Sequence, residues 1–306
     1  MKNGTRIIDF RVRPPVAAYS KLFDLHLALN AFENKFYSEP AVAVSPSMYK
    51  VGDEAGLDLL MKETDEAGID FVVAPGRATP AGGMVFKAMG DDVIDFNVSD
   101  EALVGLRKRF NNRLFGLTAL ELGKPADELV AQIKKAITQD GLSGVVMEPG
   151  YYKEPNGEQL WADNKRLYPV YETIVELDVF VMHQSGIFAG TDFGVNHWPP
   201  VDRLLQDFPN LKFLLAHGGY PDVLPALALA AKHRNYYISP DVYCFFPGGE
   251  LYINAITKLQ DQFIFASAYP LAGQKESVDG ALQFPLSKGV MSKFMYGNAA
   301  RLLKIN

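Results

Sequence analysis

Cysteine is almost absent from this chain: Cys244 is the single one in 306 residues, so no internal disulfide can form and nothing demands an oxidising compartment. Runs of one charge sign are missing as well. No lysine- or arginine-rich stretch occurs, and a formal net charge of −6 gives no long-range attraction to phosphate, so nucleic acid and anionic lipid are not expected partners. No uninterrupted span of about 20 apolar residues is found. The N-terminus, Met1-Lys2-Asn3-Gly4-Thr5-Arg6, leads into a strand-like run without the apolar core of a signal peptide. The expectation is a cytoplasmic protein with no membrane partner. Internal repeats and low-complexity tracts are also lacking, and no glycine-rich phosphate-binding turn follows any strand candidate, which argues against a nucleotide-binding open sheet.

What is present is apolar sequence, 48% against 22% charged, as a large buried core requires. Short apolar runs alternate with segments of helical spacing, the pattern of repeated β/α units. Eight strands are expected, over Arg6–Phe10, Ile69–Ala74, Leu114–Ala119, Gly144–Met147, Val179–Met182, Lys212–Ala216, Tyr236–Ser239 and Phe263–Ala266. Helices are expected over Glu54–Ala67, Asp100–Phe110, Ala126–Ile137, Lys165–Leu177, Val201–Phe208, Asp222–Ala231 and Leu251–Leu259, and Asn298–Ile305 reads as a closing helix with Asn298 as its N-cap. The fold class is therefore α/β, a (β/α)8 barrel forming one domain over residues 1–306, a fold that typically needs about 250 residues. Residues 14–53 stand out as a long connection after the first strand. They read either as a surface insertion with a short helix around Leu22–Phe32 or as a lid over the barrel mouth.

In such a barrel the residues at the C-terminal strand ends converge on one pocket. Those ends offer Arg11 and Arg13, Arg77, Glu148 followed by Tyr151, His183, His217, Asp241, and Ser267. His183 follows Val-Phe-Val-Met and His217 follows Phe-Leu-Leu-Ala. One histidine so placed is often a hydrogen-bonded structural residue, whereas two at equivalent positions suggest acid/base work or metal ligation. Arg11, Arg13 and Arg77 form a fork-shaped donor array suited to a carboxylate. The alternative is that they close ion pairs with Glu148 and Asp241.

The segments Ile8-Asp9-Phe10-Arg11-Val12-Arg13-Pro14-Pro15, Val181-Met182-His183-Gln184-Ser185-Gly186, Ala216-His217-Gly218-Gly219-Tyr220-Pro221, Phe265-Ala266-Ser267-Ala268-Tyr269-Pro270 and Gly297-Asn298-Ala299-Ala300-Arg301-Leu302-Leu303 resemble, in order, signature blocks of the amidohydrolase-related hydrolases. That branch includes decarboxylases of the aminocarboxymuconate-semialdehyde and dihydroxybenzoate type. The resemblance implies a barrel with a metal site at its mouth. It also shows where the chain departs. His-x-His is usual at the end of the first strand, where Arg11-Val12-Arg13 stands, and an aspartate follows the serine of the last strand, where Ala268 stands.

A guanidinium cannot ligate a divalent cation and repels it. The resemblance therefore implies a hydrolase acting on a small anionic organic acid, through a lactone or related bond, with no metal cofactor expected. His183 or His217 would be the general base, Asp241 a stand-in for the missing aspartate, and Arg11, Arg13, Arg77, Glu148, Tyr151 and Ser267 the substrate-binding residues. Two alternatives stay open: a relocated zinc or manganese site made of Glu148, His183 and His217 in a hydrolase or decarboxylase, and a non-catalytic anion-binding protein. The family also suggests a homodimer.

Overall fold

The alternation of apolar runs with amphipathic segments is realised as a parallel sheet whose strands are joined by helices. The computed structural model describes residues 1–2, 4–20, 23, 46–78, 84–85, 93–94, 97–185, 194 and 196–305. Seven strands form, β1 (Ile8–Asp9), β2 (Phe71–Pro75), β3 (Leu114–Ala119), β4 (Gly144–Val146), β5 (Phe180–Gln184), β6 (Lys212–Ala216) and β7 (Tyr236–Ser239); β1 and β2 are hydrogen-bonded neighbours, as are β3 to β7 in chain order. Their interiors are almost wholly buried, as strands covered by helices must be. A short antiparallel pair, Met84–Val85 with Val93–Ile94, was not expected. Among the described residues no helix is long and apolar enough to cross a membrane.

The chain divides into two compact units, Met1–Pro75 with Leu106–Phe115 and Ser239–Asn306, and Gly76–Gly105 with Gly116–Ile238. In the first, β1 pairs in parallel with β2, Ile8 opposite Phe71 and Asp9 opposite Val72. Helix α1 (Glu54–Glu66) starts where the Asp53 carboxylate accepts from the Ala55 amide, and it buries Leu57, Leu60 and Thr64 along one stripe. It stops at Gly68, whose φ of +74° and amide bond to Asp65 O make a left-handed C-terminal cap. A Cβ there would stand 2.9 Å from the Lys2 Cβ.

The expected eighth strand over Phe263–Ala266 does not form a ladder. The Phe10 amide reaches Phe265 O at 3.1 Å and Val12 bridges Tyr269, but the Phe265 amide turns to Phe294 O and Ala268 adopts a φ of +60°, which ends the extended run. Nor does Asn298 cap a helix. The segment before it is already helical, so its buried amide instead donates to Gln260 O and Phe263 O. The helix Gln274–Ala281 was not anticipated. The expected insertion over 14–53, including the helix around Leu22–Phe32, lies largely outside the described residues.

The first unit also holds a carboxylate inside its apolar core. Asp9 is fully buried and accepts from the Ser267 amide at 2.9 Å, the Ser267 hydroxyl at 2.6 Å and more distantly the Arg11 amide and the Gln274 side chain. Gln274 in turn receives the Thr64 hydroxyl of α1 at 2.8 Å. Burial outweighs these bonds and pushes the Asp9 carboxyl up to about 6.

In the second unit β3 to β6 run parallel in continuous register, with Val146 opposite Met182 and Met182 opposite Leu214. Helix α2 (Asp100–Arg109) spans the boundary between the units. Helix α3 (Ala126–Thr138) carries Asp127 and Glu128 in its first turn, where they favour the positive end of the helix dipole, and buries Leu129, Ile133 and Ala136. Helices α4 (Tyr168–Glu176) and α5 (Trp198–Asp207) both have proline in their first turn, and α6 (Val223–Lys232) buries Val223, Ala226, Leu229 and Ala230.

Two outcomes follow for stability. Ile133→Ala removes a fully buried side chain from α3 and is expected to cost about 2–5 kcal/mol in urea unfolding, whereas Lys134→Ala on the exposed face should stay within about 0.5 kcal/mol. Asp9 binds its proton more tightly folded than unfolded. Its contribution is therefore full below the unfolded value of 3.8 and is lost as pH rises through about 6. Unfolding measured from pH 4 to 7 should show the wild type losing stability relative to Asp9→Asn, at about 1.4 kcal/mol per unit of separation. Parallel curves would show that Asp9 ionises normally.

Candidate active site

A cleft opens in the second unit where β4, β5 and β6 end. It encloses about 460 Å³, counting its open mouth, and its walls include Glu148, Tyr151, Trp161, His183, Gln184, Asn196, His197, Trp198 and Phe213. Of the residues expected from the sequence, Glu148, Tyr151 and His183 line it. Arg77 and His217 are not among its lining residues.

Glu148 follows the apolar β4 and is 4% exposed. Arg77, from the segment after β2, brings its Nη1 to 2.6 Å from Oε1 and touches Oε2 as well. Two buried opposite charges at this distance cancel most of each other's field. The Tyr151 hydroxyl donates to Gln184 O at 3.3 Å, joining the loop after β4 to the end of β5.

His183 is placed by the alternation of β5, opposite Leu215 of β6. Its ring lies 4.4 Å from that of Phe213 at 56°, and its Nε2 has no hydrogen-bond partner among the described residues. With apolar walls around it, burial pushes the imidazole down to about 3, so the ring is neutral through the physiological range. Sequence reasoning missed Asn196, just ahead of α5. It is buried in the same cleft, and neither its Oδ1 nor its Nδ2 has a partner among the described residues. Its neighbour His197 is exposed, its ring centroid 4.7 Å from that of Trp161 at a tilt of 52°.

His217 is fixed at the end of β6 by its surroundings. The Ser185 hydroxyl donates to Ala216 O at 2.7 Å and accepts from the Gly219 amide at 2.8 Å. His217, Gly218 and Gly219 all have positive φ, and a Cβ on Gly219 would lie 2.4 Å from the Trp198 ring, so only glycine fits there.

The remaining expected residues belong to the first unit. Arg11 is 1% exposed, with Nε 3.8 Å from the Asp241 carboxylate, which also meets the Ser239 hydroxyl. Arg13 Nη1 donates to Ala268 O at 3.1 Å and Tyr269 O at 3.3 Å. Ser267 is fully buried with its hydroxyl on Asp9. Asp241 and Ala268, like His217, are non-glycine residues with φ near +60° immediately beyond strands or strand-like runs. Such backbone costs on the order of 1 kcal/mol each and clusters at functional sites.

The sequence model of the amidohydrolase family matches residues 22–305. An uncharacterized TIM-barrel protein from Bordetella bronchiseptica has a similar structure, at 29% identity over 98% of both chains and a TM-score of 0.80. So does 2,6-dihydroxybenzoate decarboxylase from Rhizobium, at 15% identity over 98% of this chain and 99% of that one, with a TM-score of 0.68. The 5-carboxyvanillate decarboxylase from Novosphingobium aromaticivorans, complexed with manganese and 4-hydroxy-3-methoxy-5-nitrobenzoic acid, matches at 14% identity over 99% and 97% of the chains, with a TM-score of 0.66. The two decarboxylases, at these identities, share the fold. None of the curated proteins matches the chain.

A divalent metal of the kind bound in that decarboxylase does not fit the donors present here. The unpartnered Nε2 of His183 is a competent ligand, but both oxygens of Glu148 are engaged by Arg77. No group of three or more His, Cys, Asp or Glu side chains suited to a metal exists among the described residues. The fold is the α/β TIM barrel expected from the sequence, and with its family match over residues 22–305 this chain is a member of the amidohydrolase family.

Proposed function

We propose that this protein is a hydrolase of a small organic acid, opening a lactone or related bond in the cleft of the second unit without a resident metal. The observation that carries the reading is the neutral, buried imidazole of His183, whose Nε2 is unpartnered among the described residues. Water adds to the carbonyl carbon of the substrate as Nε2 takes its proton. The ring bond to oxygen then breaks, and the imidazolium returns the proton to the departing oxygen, leaving a hydroxy acid.

Charge in the cleft supports an anionic substrate. Arg77 neutralises Glu148, so this wall does not repel a carboxylate. A bound carboxylate in turn favours the imidazolium, so substrate strengthens the base that acts on it. The similar decarboxylases take aromatic acids by name, which agrees with this substrate class. Arg11 and Arg13, in the first unit, remain candidates for holding an anion there, and Asp241 for handling a proton. His217 is the competing candidate for the base.

The pH profile separates the two histidines. With His183 as base, kcat/KM should hold as pH falls through 6 and decline only toward the low value set by its burial, while the acid limb of kcat lies higher because the bound anion raises it. A limb in kcat/KM near the ordinary histidine range would assign the proton elsewhere. His183→Gln is expected to reduce kcat by about 10²–10⁴. Dialysis against a chelator should leave the rate unchanged, and complete loss of activity would sink the metal-free reading.

A further inference from the structure

The Asn196 side chain presents a problem that the proposed hydrolysis does not solve. A buried primary amide ordinarily finds partners for its oxygen and its nitrogen, because leaving either unmade costs about 1–3 kcal/mol. Asn196 is 8% exposed and satisfies neither among the described residues. It lines the same cleft as the unpartnered Nε2 of His183, alongside the rings of Trp161 and Trp198. Two buried, unsatisfied polar side chains in one aromatic-walled cleft are what a preformed recognition site holds ready for its ligand.

The geometry points to Asn196 as a specificity-determining residue, selecting a ligand that presents a hydrogen-bond donor and an acceptor side by side, as the edge of a cyclic amide does. The inference rests on the proposed reading of the cleft as a small-acid site, and of the bonds that reading allows it selects the cyclic amide over the lactone, with the ring C–N bond breaking in place of C–O. An amide side chain offers Nδ2–H as donor and Oδ1 as acceptor in one plane. A ring carbonyl flanked by N–H satisfies both. A ring carbonyl flanked by an ester oxygen has no hydrogen to give, and leaves Oδ1 buried and unpaired. Discrimination of this kind comes from the unmet group in the site rather than from the size of the ligand.

The test uses an isosteric pair differing only at that edge, 5-oxopyrrolidine-2-carboxylate and 5-oxotetrahydrofuran-2-carboxylate, with binding measured by calorimetry on the intact protein. The wild type should bind the lactam at least about tenfold more tightly than the lactone. Asn196→Leu should bring the ratio close to one. The same variant should melt at or above the wild-type temperature, since an apolar group replaces an amide that gains nothing from the fold. A structural asparagine would instead lose stability on replacement. Binding of both probes with equal affinity, or an unchanged ratio in Asn196→Leu, overturns the inference and leaves the small-acid reading standing. Failure of the wild type to bind either probe or any acid of a wider panel overturns both.

Discussion

Glu148 can stand in the wall of a closed, aromatic cleft only because Arg77 reaches both of its oxygens. A lone carboxylate there would have to be hydrated or protonated, and either outcome would change the site. Pairing also removes Glu148 from the electrostatics of its neighbours: burial is the sole cause behind the depressed basicity of His183, with no contribution from the carboxylate in the same lining. A bare Glu148 would leave a negative charge in the wall and turn away organic acids. One ion pair thus keeps the wall near neutral, while burial alone keeps the base neutral.

Much of this could be read from the residues. Leu114–Ala119, Lys212–Ala216 and Tyr236–Ser239 are strands with the expected bounds, because apolar runs between turn residues leave little else to form. Glu148 and His183 were identifiable because a strand end in this architecture fixes where its next side chain goes. The eighth segment was misjudged for a conformational reason. Phe263–Ala266 is as apolar as any strand, yet the left-handed Ala268 and the diversion of the Phe265 amide are tertiary effects without a mark in composition. Asn298 was misjudged likewise, since a residue that looks like a cap becomes an internal clamp once helix precedes it.

Asn196 and Asp9 escaped notice for opposite reasons. Asn196 lies in a polar connection ahead of α5, and only the fold of that connection buries it. Asp9 carried a signal, a lone acid between Ile8 and Phe10 within a strand, but its partners Ser267 and Gln274 lie more than 250 residues along the chain. Both groups hold the molecule below its attainable stability. Asp9 does so as an acid confined to apolar surroundings, and Asn196 as an amide without partners among the described residues. Preformed polar sites commonly carry such a cost, and it marks them out from a packed core.

Trp161 and Trp198 are the only two tryptophans in the chain, and both belong to the lining of one cleft. The intrinsic fluorescence of the whole protein, excited at the red edge where tyrosine no longer absorbs, therefore originates from the walls of a single chamber. One indole faces the exposed ring of His197 and the other is seated against Gly219. The arrival or departure of a guest would alter the emission. The molecule carries its own optical gauge of occupancy, with no label attached.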